Sequence, residues 1–447
     1  MTDPGRPTSL LLRSAASAAL GSFLFGFDTA VISGTTEALR LQFALDSNQL
    51  GLTVASALVG TILGSLAVGR PAERHGRRAA LLAIAVLYLV SAVGCGVAWD
   101  WVSLVAFRLL GGLGVGAASV VAPMYIAEIS PAATRGRLVA FSQLNVVAGI
   151  LAAYLSNVIV AGAVGGPESA AWRWMLGIEA IPAALFFLYV LRIPESPRWL
   201  VKQHRREEAA GVLRALGNAN PDALVADIAE SLHEESVSAA EPLFQRKYRT
   251  PVMLALVVAT FNQLAGINAL IYYTADIFRM AGADGTSALL QSVVIGLTNL
   301  AFTVVAMTVI DRLGRKRLLL IGALGLAVCL ALTAWGFHTG AGTLVLGSLI
   351  AYIAFFALSQ GAVIWVYLSE IFPNRVRARG QALGSFTHWT WAALVSWTFP
   401  MLAERSGAWA FGFFAVMMVL QFVVVLAVLP ETKGISLEQI QRRLGIE

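Results

Sequence analysis

Apolar runs divide this chain more sharply than any other feature. Twelve of them, near 11–36, 49–69, 79–98, 102–125, 138–161, 172–192, 252–278, 287–310, 317–337, 343–369, 380–402 and 408–429, are separated by charged or turn-rich breaks. Each has roughly the 20 residues a helix needs to cross a hydrocarbon core, about twice the length of a barrel strand. A backbone in lipid must satisfy its own N–H and C=O groups, so runs of this length are expected as helices. The chain has 447 residues, 57% of them hydrophobic and only 13% charged. Soluble chains carry roughly 45–50% apolar and about 25% charged residues, and disordered or fibrous chains need low hydrophobicity or strict repeats. These classes are excluded. The expected fold is all-α, with twelve transmembrane helices.

Minor features agree. Cys95 and Cys329 each fall inside an apolar run and read as small core residues, so neither a disulfide nor a metal site is expected. No cofactor is expected either. The first apolar stretch continues into Gly26-Phe27-Asp28 without a cleavage site, which predicts a first span and not a signal peptide. Segment 193–251 is far more polar, with Glu207, Glu208, Asp222, Asp227, Glu230, Glu234 and Glu235. Short amphipathic patterns over 209–216 and 224–232 predict a few small surface helices on a linker.

The net charge of +6 is a matter of placement. Of the 32 Lys and Arg residues, 27 fall in the linker, in the termini or in alternate loops on one side. Positive loops stay in the cytoplasm, so both termini and the linker are expected there. Nucleic acid is not needed to explain the charge.

Three local patterns occur twice. Arg74-His75-Gly76-Arg77-Arg78 matches Arg312-Leu313-Gly314-Arg315-Lys316-Arg317, with Gly76 and Gly314 238 residues apart. Glu128-Ile129-Ser130-Pro131 with Arg135 matches Glu370-Ile371-Phe372-Pro373 with Arg379, an offset of 242, and Pro194-Glu195-Ser196 matches Pro430-Glu431-Thr432, an offset of 236. Near-equal offsets predict two pseudo-symmetric six-helix halves, 1–192 and 252–447, joined by the linker 193–251. Transporters use such paired halves, with a site near the midplane and alternating access by rocking. The charged residues of these motifs, Glu73, Arg77, Glu128, Arg135, Glu195, Arg198, Asp311, Arg315, Glu370, Arg379 and Glu431, fall at span ends. One reading makes them a gate of separable ion pairs. The other makes the cations simple positive-inside anchors. Occurrence in both halves favours the gate.

Ionisable groups inside spans are costly and mark function. Asp28 lies mid-way along the first span, Arg108 in the fourth and Glu179 in the sixth. Burial disfavours a carboxylate, and an adjacent cation favours it. Asp28 and Arg108 therefore suit a proton switch, bound when Asp28 is ionised and released when it is protonated; a static structural pair is the other reading. Glu179 is either a tuning acid for Arg108 or a hydrogen-bonded structural residue. The remaining polar groups within spans are Gln143 in the fifth, Asn262, Gln263 and Asn268 in the seventh, Asn299 in the eighth, Trp365 in the tenth, and His388 and Trp389 in the eleventh. Gln263 and Asn268 are five residues apart, too far round an ideal helix to share a face. A break at Gly266-Ile267-Asn268 would bring them together, ahead of Tyr272 and Tyr273 as further gating candidates.

The paired Gly-Arg-Arg/Lys loops, Pro194-Glu195-Ser196-Pro197-Arg198-Trp199-Leu200 and Pro430-Glu431-Thr432-Lys433-Gly434 resemble the signatures of the sugar porter family of the major facilitator superfamily. The resemblance spans all twelve runs and the linker. Among the family's members the chain looks most like bacterial proton-coupled xylose and hexose symporters. What this implies is the major facilitator fold, a monosaccharide and protons as the transported species, a lipid bilayer as the medium, and a monomer in the bacterial inner membrane. Proton-coupled members carry Asp at the Asp28 position and facilitators often carry Asn, so the resemblance favours symport over facilitated diffusion. It also assigns sugar contacts to Gln143, Gln263, Asn268, Asn299 and Trp365, with Trp389 lining the site. Sugars need fixed donors and acceptors around their hydroxyls and an aromatic face against their C–H patches, which this set supplies.

Several positions depart from the family pattern. Asn262, a substrate-binding candidate with a shortened hydroxyl contact, stands for the first of two glutamines; His388, a further binding candidate and a titratable group, stands for a Gln. Ile150 stands for another Gln, Glu73 for an Asp, and Ala362 for a proline, which alters the hinge expected near Gly361. Ile150 leans toward a hexose such as glucose, and the remainder looks xylose-like. A non-transporting sugar sensor would carry a long tail after Pro430, and no metalloprotease, hydrolase or phosphate-loop motif points to an enzyme.

Overall fold

A computed structural model describes residues 8–165, 170–237, 241–373, 375–435 and 437–446, with the side chains of 133, 234–237, 311 and 437–438 outside that description. The gating candidate Asp311 thus lies on a described helix, but its side chain falls outside the described set. Every described element is helical. Eleven segments are long and apolar enough to cross a membrane. The remaining expected span is the helix Arg377–Arg405, 29 residues long, whose apolar character is diluted by residues such as Gln381, Thr387 and His388.

The helices are not uniform, and their breaks have local causes. In the sixth span, Ala171–Gly177 and Ala180–Val190 are separated at residues 178–179. Pro182 has no N–H to give the carbonyl of Ile178, and its ring crowds that turn. The seventh span is broken twice, into Arg249–Leu264, Ile267–Tyr272 and Thr274–Met280. At the first break Gly266 adopts φ 84°, a left-handed conformation suited to glycine. The tenth span breaks at Ser359 (φ −115°, ψ −88°) between Gly342–Leu358 and Gln360–Glu370. Absence of proline at Ala362 therefore does not straighten this span; the break falls three residues earlier.

The described chain divides into two compact units. The first comprises Met1–Thr29, Val59–Ala153 and Arg173–Ala239. Small residues let its helices approach backbone to backbone, as the Gly60-x-x-x-Gly64 and Gly112-x-x-x-Gly116 spacings suggest. A Cβ added at Gly60 would lie 2.3 Å from the carbonyl oxygen of Leu109, and one at Gly116 would lie 2.0 Å from that of Thr61. Linker helices Pro197–Lys202, Arg206–Ala215 and Pro221–Val237 belong to this unit and bury Trp199, Leu200, Ala209, Leu213 and Val225 among themselves.

The second unit comprises Ala30–Leu58, Tyr154–Trp172 and Ala240–Glu447. Polar ties hold its parts together. The Tyr154 hydroxyl lies 2.9 Å from the Ile271 carbonyl and 2.8 Å from Thr274 Oγ1, bracketing the second break of the seventh span. Asn157 Nδ2 donates to the Val31 carbonyl (3.0 Å), and Trp397 Nε1 donates to Asn48 Oδ1 (2.9 Å).

Candidate functional site

In the first unit, Arg108 Nη1 donates to Asp28 Oδ1 at 2.9 Å, with Arg108 1% and Asp28 4% exposed. The first span carries Asp28 between buried Phe27 and Thr29, and the fourth carries Arg108 three residues before a run of small residues, starting at Gly111, that lets other helices come near. A Cβ added at Gly111 would meet Ser91 Oγ at 2.4 Å and Asp28 Oδ1 at 3.7 Å, so the absent side chain leaves room beside the carboxylate. Glu179, also buried at 4% exposure, sits at the bend of the sixth span within electrostatic reach of both members of the pair. The three ionisable residues expected to act together are thus brought to one place. Gln143 lies on the fifth-span helix Ala132–Val164 with its side chain exposed.

The second unit gathers the amides. The break at Gly266 turns Asn268 back onto Gln263, and Asn268 Nδ2 donates to Gln263 Oε1 at 2.9 Å. Gln263 Nε2 donates to Asn262 Oδ1 (3.3 Å) and lies 3.0 Å from Nε2 and 3.2 Å from Nδ1 of His388, within reach of whichever ring nitrogen carries no proton. The His388 ring sits 5.0 Å from Trp365 and 4.8 Å from Trp389, centroid to centroid. Three of the expected residues, Asn262, Asn268 and His388, thus meet the Gln263 carboxamide, and Trp365 and Trp389 flank the His388 ring. Asn299 is buried on the eighth-span helix Gly285–Leu313 and, among the described residues, forms no hydrogen bond to this cluster. Asn262 turns its own Nδ2 away, to the carbonyl of Gln360 at 3.3 Å. Tyr272 and Tyr273 are both buried, and the Tyr273 hydroxyl donates to the Ser396 carbonyl at 2.9 Å.

The twice-occurring charged motifs form matching clusters, one in each unit. In the first, Arg77 grips Glu128 through Nε and Nη2 at 2.8–3.2 Å. Glu195 accepts from the backbone N–H groups of Arg77 (2.9 Å), Arg78 (3.2 Å) and Ser196 (2.8 Å), capping the third-span helix where Gly76 turns with φ 99°. In the second, Arg315 Nη2 donates to Glu370 at 2.9 Å, and Glu431 accepts from the N–H groups of Arg315, Lys316, Thr432 and Lys433 at 2.9–3.1 Å, beside Gly314 with φ 89°. Burial opposes the charge on Glu431, but those four donors prevail and hold its carboxyl below the usual range. The other motif residues are placed differently. Glu73 meets Lys202 at 3.3 Å, Arg379 donates to the Glu241 carbonyl at 2.6 Å, Arg135 is exposed and Arg198 half-buried.

Sequence reasoning missed two residues here. Gln360 and Gln421 are buried and joined by a hydrogen bond of 2.7 Å from Gln360 Nε2 to Gln421 Oε1. Gln421 was open to detection, since it is the one side-chain amide in the otherwise apolar helix Gly407–Val428.

A buried carboxylate–guanidinium pair in one helical unit and a ring of amides and aromatics in the other describe a polytopic carrier of small polar solutes. The comparisons narrow that class. The family model for "Sugar (and other) transporter" matches residues 14–444. The chain is 38% identical over 464 residues to the D-xylose-proton symporter of Escherichia coli, covering 95% of this chain and 94% of that one. It is 37% identical to the glucose transport protein of a Synechocystis species, over 94% and 95% of the two chains, and 35% identical to the arabinose-proton symporter of Bacillus subtilis, over 95% and 93%. Its structure is similar to that of the E. coli xylose transporter XylE in a partially occluded inward-open conformation (TM-score 0.86, 36% identity, 96% and 100% covered), and to the same symporter bound to 6-bromo-6-deoxy-D-glucose (TM-score 0.79, 36% identity, 98% and 99% covered). The chain belongs to the sugar porter family of the major facilitator superfamily. It is a multi-pass membrane transporter of sugars, with the major facilitator fold, and not an enzyme.

Proposed function

We propose that this protein is a proton-coupled symporter of a monosaccharide, with glucose or xylose the foremost substrates. The observation that carries the reading is the ion pair of Asp28 and Arg108, 2.9 Å apart and nearly sealed from solvent. A carboxylate there gains its stability from the guanidinium, and on taking up a proton it loses most of that attraction and frees Arg108. Proton uptake and helix movement are thereby linked by one chemical event. Glu179 supplies a second acid close enough to compensate Arg108 when Asp28 is neutral. The sugar is held by Gln263, Asn268, His388, Trp365 and Trp389, with further contacts from Gln143 and Asn299 as the family resemblance implies. Proton symport is also named for the E. coli xylose and B. subtilis arabinose relatives.

Both termini and the linker lie in the cytoplasm on this reading, and halves 1–192 and 252–447 alternate access while Arg77–Glu128 and Arg315–Glu370 tie span ends within each half. The test is uptake of a sugar panel into proteoliposomes with and without an imposed proton gradient. Native protein should accumulate its sugar only with the gradient. The Asp28→Asn variant should lose accumulation and keep exchange of sugar down its gradient. Gradient-independent uptake of every accepted sugar by native protein makes it a facilitator, and retained accumulation in Asp28→Asn removes Asp28 from the mechanism.

A further inference from the structure

Gln263 does not stand alone in the second unit. Its carboxamide is the near end of a buried chain of hydrogen bonds that leaves the proposed sugar site and ends on the twelfth span. Gln263 Nε2 donates to Asn262 Oδ1 at 3.3 Å, and Asn262 Nδ2 donates to the backbone carbonyl of Gln360 at 3.3 Å. Gln360 Nε2 in turn donates to Gln421 Oε1 at 2.7 Å and lies 3.3 Å from Met418 Sδ. All four polar side chains are buried, at 3% exposure or less.

Each link has a structural reason. Gln360 is the first residue after the break at Ser359, so it heads the distal helix Gln360–Glu370 of the tenth span. Its backbone carbonyl has a second lone pair for Asn262 beyond the bond it makes within the helix. An amide placed in an apolar span is costly unless another polar group meets it, and Gln421 is met by Gln360. The short Asn262 side chain reaches Gln360 and Gln263 at once, so it works as a spacer between them.

We infer that Gln360 and Gln421 are positioning residues for the sugar, acting through Asn262 to fix the Gln263 carboxamide. This rests on the sugar binding at Gln263 proposed above. Affinity is then set in part from the twelfth span, by residues that do not touch the substrate. Losing the far end of the chain lets the head of the distal tenth-span helix and Asn262 shift, and Gln263 loses its fixed aim. A carboxamide free to rotate must be ordered again by each sugar that binds, which weakens binding.

A double-mutant cycle separates this from a general packing effect. D-glucose and D-xylose are titrated by calorimetry into purified full-length native protein, Gln421→Met, Gln263→Ala and the double variant, and the KM and Vmax of counterflow are measured in proteoliposomes. Gln421→Met should raise the sugar Kd and the counterflow KM about fivefold with Vmax nearly kept. On the Gln263→Ala background the same substitution should add less than about twofold, since its route to the sugar is already gone. An unchanged Kd in Gln421→Met, or the same fold-change in both backgrounds, overturns the inference and leaves the function standing. Should Gln421→Met not yield folded protein by size-exclusion chromatography, Gln360→Met cuts the same bond and is read by the same criteria. Native protein that binds neither these sugars nor any other of the panel overturns the function itself, and the relay with it.

Discussion

At the scale of single residues, the molecule's chemistry rests on groups that are stable only in company. Arg108 and Asp28 are an example, since removing one partner leaves the other charge buried. Arg108→Met should therefore cost about 3–5 kcal/mol while Asp28 stays ionised, and combining it with Asp28→Asn should recover much of that loss. Thermal unfolding of the three variants in detergent checks this; equal losses in Arg108→Met and the double variant would remove the ion pair as the cause. These residues were legible in the chain because ionisable groups within apolar runs stand out against their neighbours. Gln263 and Asn268 were legible for a related reason, as their five-residue spacing across Gly266 makes sense only if the helix breaks. Gln360 and Gln421 were not, because their meaning lies in a bond between side chains 61 residues apart. Asn262, a sugar-contact candidate, also bonds Gln263 and Gln360, a link that its residue type alone does not announce.

At the scale of elements, the breaks in the spans do the positioning. Gly266 combines φ 84° with a close neighbour, since a Cβ there would lie 2.6 Å from the Phe414 ring. Gly282 has φ 94° and open space around it, so the two sites separate backbone strain from collision. Gly282→Ala should cost about 1–2 kcal/mol, from the left-handed conformation alone. Gly266→Ala should cost more and should also weaken sugar binding, because the same turn brings Asn268 to Gln263. Thermal melts of both variants with sugar titrations decide it; equal losses with unchanged affinity would mean that this turn does not build the site. Gly266 announced its break through its residue type. The second break, at Tyr273, carries no such signal and depends on the bonds of Tyr154 to Ile271 and Thr274, which join chain segments more than 100 residues apart. Pro182 follows the sixth-span break, which leaves Glu179 within electrostatic reach of Asp28 and Arg108. The tenth-span hinge expected near Gly361 has its break at Ser359, two residues earlier, where no residue type announces it.

At the scale of the whole molecule, the same small cluster is built twice, with Gly76, Arg77, Glu128 and Glu195 matched by Gly314, Arg315, Glu370 and Glu431. The offsets made the repeat legible, but not its atomic content. Glu195 and Glu431 turn out to be helix caps, receiving backbone N–H groups as well as standing near cations. Such caps have a pH signature. Glu431 titrates lower in the folded protein than in the unfolded chain, so its stabilisation is present above the ordinary glutamate range and is lost as pH falls through the lowered value. Glu431→Gln should be less stable than native protein near pH 7, and the gap should narrow as pH falls below the ordinary glutamate range. Melting temperatures across that range test it, and a gap that stays constant rules out the carboxylate as its source. The repeat also reaches the two proposed functional centres. Gly26-Phe27-Asp28 and Gly266-Ile267-Asn268 lie 240 residues apart (268 − 28), between the smallest and largest motif offsets. Asp28 meets Arg108, and Asn268 meets Gln263. If both halves descend from one ancestral gene segment, the proposed proton partner and the proposed sugar partner are the same inherited position, separated by an exchange of one oxygen for one nitrogen. The copy that kept an acid can load and release a proton, and the copy with an amide can only offer hydrogen bonds.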